Sequence, residues 1–146
     1  MHLVGPLEDL AREAGHIAAS ARANLKREIK PDGSVVTNAD REVELFLREA
    51  LVKLVPNTTV WGEEFGHAEP GSAGLWLVDP VDGTTNFATG SPQWGVSIAL
   101  AVGDEIRLGA VALPDYGEVW IGGIGRGVSV NGKKLAAIEG GPIARH

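Results

Sequence analysis

The sequence contains no cysteine, which excludes a disulfide framework, a thiolate nucleophile and any zinc or iron–sulfur site built on sulfur ligands. Cytoplasmic localisation is the expectation that follows. A basic excess is missing as well: 13 Lys and Arg stand against 19 Asp and Glu, for a formal net charge of −6. Nucleic-acid binding needs a positive face against the phosphate backbone, so no nucleic acid is expected as a partner. No uninterrupted apolar run reaches membrane-spanning length, and no membrane association is expected. Met1 to Leu10 carries Glu8 and Asp9 and lacks the basic-then-apolar order of a signal peptide. The acidity leaves one ligand class open, because a bound divalent cation inverts the local field and admits a small phosphorylated molecule.

Several catalytic patterns are absent too. There is no Gly-x-x-x-x-Gly-Lys-Ser/Thr loop, no complete dinucleotide fingerprint in the Gly123 to Gly127 cluster, and no serine in a Gly-x-Ser-x-Gly frame. A calcium loop starting at Asp82 fails, since Phe87 falls where glycine is needed and Gln93 where glutamate is needed. The histidines His2, His16, His67 and His146 show no ligand spacing.

What is present fits one domain over residues 1–146: 44% hydrophobic and 22% charged residues are enough for a buried core without cross-links. Leu7, Leu10, Ala11, Ala14, Ile17, Ala18, Ala21 and Leu25 recur at helical spacing, which predicts a helix from Leu7 to Ile29. Lys26, Arg27 and Lys30 suit its negative end, and Pro31-Asp32-Gly33 its stop. A second helix is predicted from Ala39 to Leu54 with Thr37 or Asn38 as its cap. Beyond Pro56 the period changes: Thr58–Trp61, Leu75–Val78, Val96–Leu100 and Arg107–Leu113 read as strands. Gly103-Asp104, Pro114 to Gly117 and Asn131-Gly132 are turn signals between apolar runs, so a meander is expected. The predicted class is α+β, two N-terminal helices packed on a mainly antiparallel sheet.

The chemistry centres on Asp79-Pro80-Val81-Asp82-Gly83-Thr84. Pro80 restrains the backbone so that Asp79 and Asp82 can face one point, and Gly83 to Asn86 can open a short helix with free N–H groups toward an anion. Asp-Pro and Asp-Gly are equally ordinary turn formers. Glu63-Glu64 follows a strand whose end can aim it at Asp79. Carboxylates about 4 Å apart repel by roughly 4 kcal/mol per pair at an effective dielectric near 20, so their convergence calls for cations. All-oxygen ligands on irregular loops suit magnesium or manganese better than zinc.

Trp61-Gly62-Glu63-Glu64 followed by Asp79 to Phe87 resembles the signature pair of the inositol monophosphatase family. Val36-Thr37-Asn38-Ala39-Asp40, Gly125-Arg126-Gly127 and Asn131 to Leu135 are similar to family segments in the same order. The resemblance implies the first half of a layered αβαβα sugar phosphatase fold. It implies that Glu63, Asp79 and the carbonyl of Val81 hold one Mg²⁺, with Asp79 and Asp82 contributing to a second. It further implies that Glu63, with Thr84 paired to Asp40, activates water, and that Asp82, Gly83 and Thr84 form the phosphate-binding set. The reaction implied is hydrolysis of a phosphate monoester of a small polyol such as inositol 1-phosphate. Histidinol phosphate, fructose bisphosphate and 3′-phosphoadenosine phosphates are the alternative substrates, and a catalytically incomplete binding fragment is the alternative role. Lys30 stands near a family lysine with its spacing shortened by one residue. The family's later Trp-Asp-x-Ala-Ala-Gly motif has no match among Trp61, Trp76, Trp94 and Trp120. A fold lacking that half is expected to expose an apolar face and to self-associate through it.

Overall fold

The computed structural model describes residues 2–138, and His146 lies outside them. Among these residues, helix α1 (Val4–Ala21) buries Leu7, Ala11, Ala14 and Ala18 along one stripe. Alanine at three of these positions keeps the stripe thin and lets the helix lie close to its neighbours. Gly15 goes further, since a Cβ there would meet Pro114 Cγ at 2.7 Å.

The helix ends earlier than its apolar spacing predicts. A 3₁₀ turn, Arg22–Asn24, follows Ala21, Leu25 is extended, and Arg27–Ile29 is a strand, β1, paired antiparallel with β2 (Val35–Thr37). The cause is the hairpin turn. Lys30 N–H donates to Ser34 O, Gly33 sits at φ 85°, and Asp32 Oδ1 accepts from the Ser34 backbone and hydroxyl. Lys26, Arg27 and Lys30 therefore belong to a hairpin and are not helix C-terminal charges.

Helix α2 (Asn38–Leu54) starts one residue before the predicted start, with Thr37 as its cap, and ends where predicted. It buries Val43, Leu47 and Leu51, and with them two acids, Asp40 and Glu44.

The remaining strands are β3 (Thr58–Gly62), β4 (Gly74–Asp82), β5 (Gly95–Val102), β6 (Glu105–Leu113), β7 (Glu118–Gly123), β8 (Gly127–Val130) and β9 (Lys133–Lys134). Between β4 and β5 lies a short helix, α3 (Thr84–Thr89). The strands form one sheet in chain order, antiparallel from β4 onward, as the turn signals predict. Asn131 and Gly132 both take positive φ, as a tight hairpin requires. The exception is β3, which runs parallel to β4. The segment joining them is too long for a tight turn, and it returns the chain to the edge where β3 began.

Helices α1 and α2 cover one face of this sheet. Trp76, wholly buried there, satisfies its indole N–H on Thr58 Oγ1 at 3.1 Å. The other face carries no helix among the described residues. Across it the ladder aligns Trp61, Leu77 and Ala99 in one row and Asp79, Ser97, Val111 and Trp120 in the next. Trp61, Val111 and Trp120 are exposed on that face. No helix of the described residues is long and apolar enough to cross a membrane.

Candidate functional site

Strand β4 would alternate its side chains between faces were it regular. Pro80 has no N–H to give the ladder, and the pairing slips there: Asp79 faces Ser97 and Asp82 faces Gly95, with a bulge between. The bulge resets the alternation, leaving Asp79 and Asp82 on the open side while Pro80 and Val81 are buried. Gly83 then takes φ 81°, and a Cβ there would lie 2.9 Å from Gln93 O. Only glycine turns the chain at this point, and α3 begins at Thr84.

Thr84 is tied to α2. Its hydroxyl lies 2.9 Å from Val81 O and 3.1 Å from Asp40 Oδ1. Asp40 is buried, and its other oxygen accepts the backbone N–H of Thr37 at 2.8 Å and the Thr37 hydroxyl at 2.7 Å. The same carboxylate thus closes the helix start and holds the hydroxyl across the site.

Glu63 and Glu64 stand on the loop leaving β3. Lys30 Nζ is 2.8 Å from Glu64 and 3.5 Å from Glu63. Burial works against the Lys30 ammonium, yet the two carboxylates outweigh it and hold its pKa above the lysine value. Glu64 is also raised, chiefly by burial, with Lys30 offsetting only part of the cost. The pair fixes position more than it adds stability.

Asp79 is the most perturbed group, pushed up to about 7 by burial first, then by the nearby charges of Glu63, Asp82 and Asp40. Four carboxylates named from the sequence are therefore electrostatically coupled in space. Asp79 Oδ1 is buried without a hydrogen-bond partner among the described residues. An orphaned carboxylate oxygen beside other oxygen donors fits a hard divalent cation, whose charge would offset the repulsion among these carboxylates. The fit is partial, since no three carboxylate or imidazole groups of the described residues close on one point in ligating geometry. Magnesium tolerates this, because it keeps several waters and binds through one or two carboxylates.

The open face is concave on both sides of Asp79. A depression of about 430 Å³ is lined by Trp61, Glu63, Leu77, Asp79 and Ser97, and one of about 340 Å³ by Asp82, Asn86, Gln93, Ser97 and Tyr116. Arg22 secures α3 from its far end, donating to Phe87 O, Ser91 O and Asp115, with its guanidinium 4.7 Å from the Phe87 ring centroid.

The structure gathers Asp40, Glu63, Asp79, Val81, Asp82, Gly83 and Thr84 at one end of the sheet, and adds Lys30 on the hairpin. Two residues escaped sequence reasoning. Glu44 is fully buried and accepts from the backbone of Glu64 at 2.6 Å and of Phe65 at 2.9 Å. Arg48 donates to Glu44, Val60 O and Gly66 O. The available signal was an Asp-Glu-Arg series at four-residue spacing, with the glutamate beside the apolar stripe of α2. Among the histidines, His67 packs on Trp61 at 4.2 Å between ring centroids, outside the acidic cluster.

A family model described as "Inositol monophosphatase family" matches residues 3–146. A histidinol-phosphatase of Chlorobaculum parvum is 36% identical over 129 residues, 87% of this chain and 50% of the relative. A fructose-1,6-bisphosphatase/inositol-1-monophosphatase of Aquifex aeolicus is 38% identical over 108 residues, 74% of this chain and 41% of the relative. Among solved structures, an IMPase of Thermotoga maritima superposes with TM-score 0.85 at 28% identity, covering 95% of this chain and 55% of that one. The chain spans about half the length of the curated relatives it matches.

Proposed function

This chain belongs to the inositol monophosphatase family, and from that premise we propose that it supplies the cation- and phosphate-binding machinery for hydrolysing a phosphate monoester of a small polyol. The observation that carries the reading is Asp79: a carboxyl held near pKa 7 beside Glu63 and Asp82, with one buried oxygen unpartnered among the described residues, next to the start of α3. Glu63, Asp79, the Val81 carbonyl and Asp82 are the groups that would hold Mg²⁺ or Mn²⁺. When bound, such an ion lowers the pKa of a coordinated water and neutralises charge on the phosphoryl oxygens.

The chain's own groups do the rest. Backbone N–H groups of Gly83 and Thr84 open toward the anion, where they stabilise charge spread over the phosphoryl oxygens. The Thr84 hydroxyl, within hydrogen-bond distance of Asp40, is placed to receive a proton from the attacking water and pass one to Asp40 Oδ1, the oxygen that Thr37 leaves free. Relatives named histidinol-phosphatase and fructose-1,6-bisphosphatase/inositol-1-monophosphatase support a phosphate monoester of a small hydroxylated molecule as the substrate class.

A second reading, binding without turnover, is favoured by the lack of a three-group ligating cluster among the described residues and by the pairing of Lys30 with Glu63. Phosphate release from inositol 1-phosphate with Mg²⁺, compared with Asp82→Asn, decides between them. Release that falls at least tenfold in the variant supports hydrolysis, and equal release from both removes Asp82 from the site. No release from either, with Mg²⁺ still binding by calorimetry, leaves the binding reading.

The uncovered sheet face carries a further expectation. Exposed Trp61, Val111 and Trp120 beside Leu77 and Ala99 predict self-association with rising concentration. Light scattering across a dilution series checks it, and a monodisperse monomer that binds no apolar dye counts against it.

A further inference from the structure

A carboxylate in an apolar helix face is costly unless it is paired and hydrogen-bonded, and where stability alone is at stake an apolar residue of similar volume serves as well. Glu44 is wholly buried on α2. It accepts the Glu64 and Phe65 backbone N–H groups at 2.6 and 2.9 Å and Arg48 Nε at 3.0 Å. Arg48 in turn donates to Val60 O at 3.1 Å and Gly66 O at 2.9 Å. Every one of these backbone contacts falls on the segment that carries Glu63, and Gly62 lies directly on the Glu44 carboxylate. One turn earlier on the same helix, Asp40 holds the Thr84 hydroxyl. Asp40, Glu44 and Arg48 rise in steps of about 6 Å along one side of α2.

We propose that Glu44 and Arg48 are positioning residues, and that α2 acts as a ruler setting the place of Glu63 relative to Thr84 across the site. The inference rests on the reading that Glu63 helps hold a divalent cation. Its purpose accounts for a buried charge that packing does not need: the turn after β3 is closed by a single backbone bridge, Gly62 N–H to Gly66 O at 3.2 Å, and the contacts from α2 fix its place on the helix, and with it the Glu63 carboxylate opposite Asp79.

The test is calorimetric titration of Mn²⁺ into the whole chain as wild type, Glu44→Gln, Glu63→Gln and the double variant. Glu44→Gln keeps the shape but turns an acceptor into a donor facing other donors. It is expected to weaken Mn²⁺ binding by about 10–100-fold, and to weaken it no further once Glu63 is already glutamine. Wild-type affinity in Glu44→Gln, or an equal loss in both backgrounds, overturns the proposal. Amide exchange at Glu64 and Phe65 reports on positioning without metal. Both amides should exchange at least about tenfold faster in Glu44→Gln while the Trp76 and Leu100 amides stay protected. If wild type binds no Mn²⁺, the cation reading fails and amide exchange alone decides, with unchanged exchange overturning the proposal. Should Glu44→Gln not fold, Arg48→Lys, which keeps the charge but loses the fork to Val60 and Gly66, goes through the same measurements with the same expected results.

Discussion

Asp79→Asn is expected to abolish Mg²⁺ and Mn²⁺ binding, to cut any phosphate release by roughly a thousandfold or more, about 4 kcal/mol of barrier, and yet to stabilise the metal-free chain above neutral pH. The sign follows from the raised carboxyl. An unfolded aspartate titrates near pH 3.9, whereas Asp79 in the fold is held up to about 7 by burial and by Glu63 and Asp82. Between about pH 4 and 7 the folded chain keeps a proton that the unfolded chain has lost, so stability falls as pH rises through that window and levels off above it. Discounted for partial exposure, the penalty at pH 8 is roughly 1–3 kcal/mol. Asparagine cannot ionise and escapes the penalty. Glu64, raised in the same direction, leaves a shallower slope behind. Thermal melts of the metal-free proteins from pH 4 to 8, with and without Mg²⁺, provide the measurement. A wild-type midpoint that climbs across this window, or Mg²⁺ stabilising both proteins equally, would sink the assignment.

Gly62→Ala is expected to be the most damaging small substitution at the site. The added methyl would stand 2.1 Å from Glu44 Oε1, 2.3 Å from its Cδ and 2.9 Å from its Cγ. A mobile side chain would step aside, but this one is fully buried and held by two backbone amides and Arg48. Either the carboxylate leaves its donors or β3 moves away from α2. Overpacking of this kind costs about 2–3 kcal/mol, or roughly 10 °C in Tm for a chain of this size, and cation affinity should fall with it because Glu63 is the next residue. Gly109→Ala is the control. Its Cβ would meet only Ile98 O, at 3.7 Å, and its melt should stay within about 1 kcal/mol of wild type. Equal melts for the two variants would mean that the Gly62 contact relaxes freely.

Much of this site was legible in the chain because its residues are close in sequence. The run Asp79 to Thr84 is a strand end, a bulge, a turn and a helix start in sequence order, each set by local chemistry: Pro80 withholding a ladder N–H, Gly83 accepting positive φ, Thr84 opening the helix. The end of α1 was misread for the opposite reason. Leu25 continues the helical spacing and Lys26 and Arg27 suit a helix terminus, so no local term favoured a break. The break comes from pairing of Arg27–Ile29 with Val35–Thr37, a contact whose gain appears only when the hairpin closes. The parallel β3–β4 pair was equally hidden, since a strand's direction relative to its neighbour is a property of the connection and leaves no mark on either strand's alternation.

Taken alone, the sequence determined the α+β order, the acidic motif and its glycine-dependent turn, and family membership, because those depend on periodicity, backbone sterics and short-range order. Tertiary structure decided which charges meet. Asp40 reaches Thr84, Glu63 reaches Asp79, Lys30 reaches both glutamates, and a buried Glu44 with Arg48 holds the loop between them. Coulomb and desolvation energies depend on separations and burial in the folded chain. An aspartate in a turn motif therefore became a carboxyl held near neutrality only when helix α2, the β1–β2 hairpin and the bulged strand closed around it.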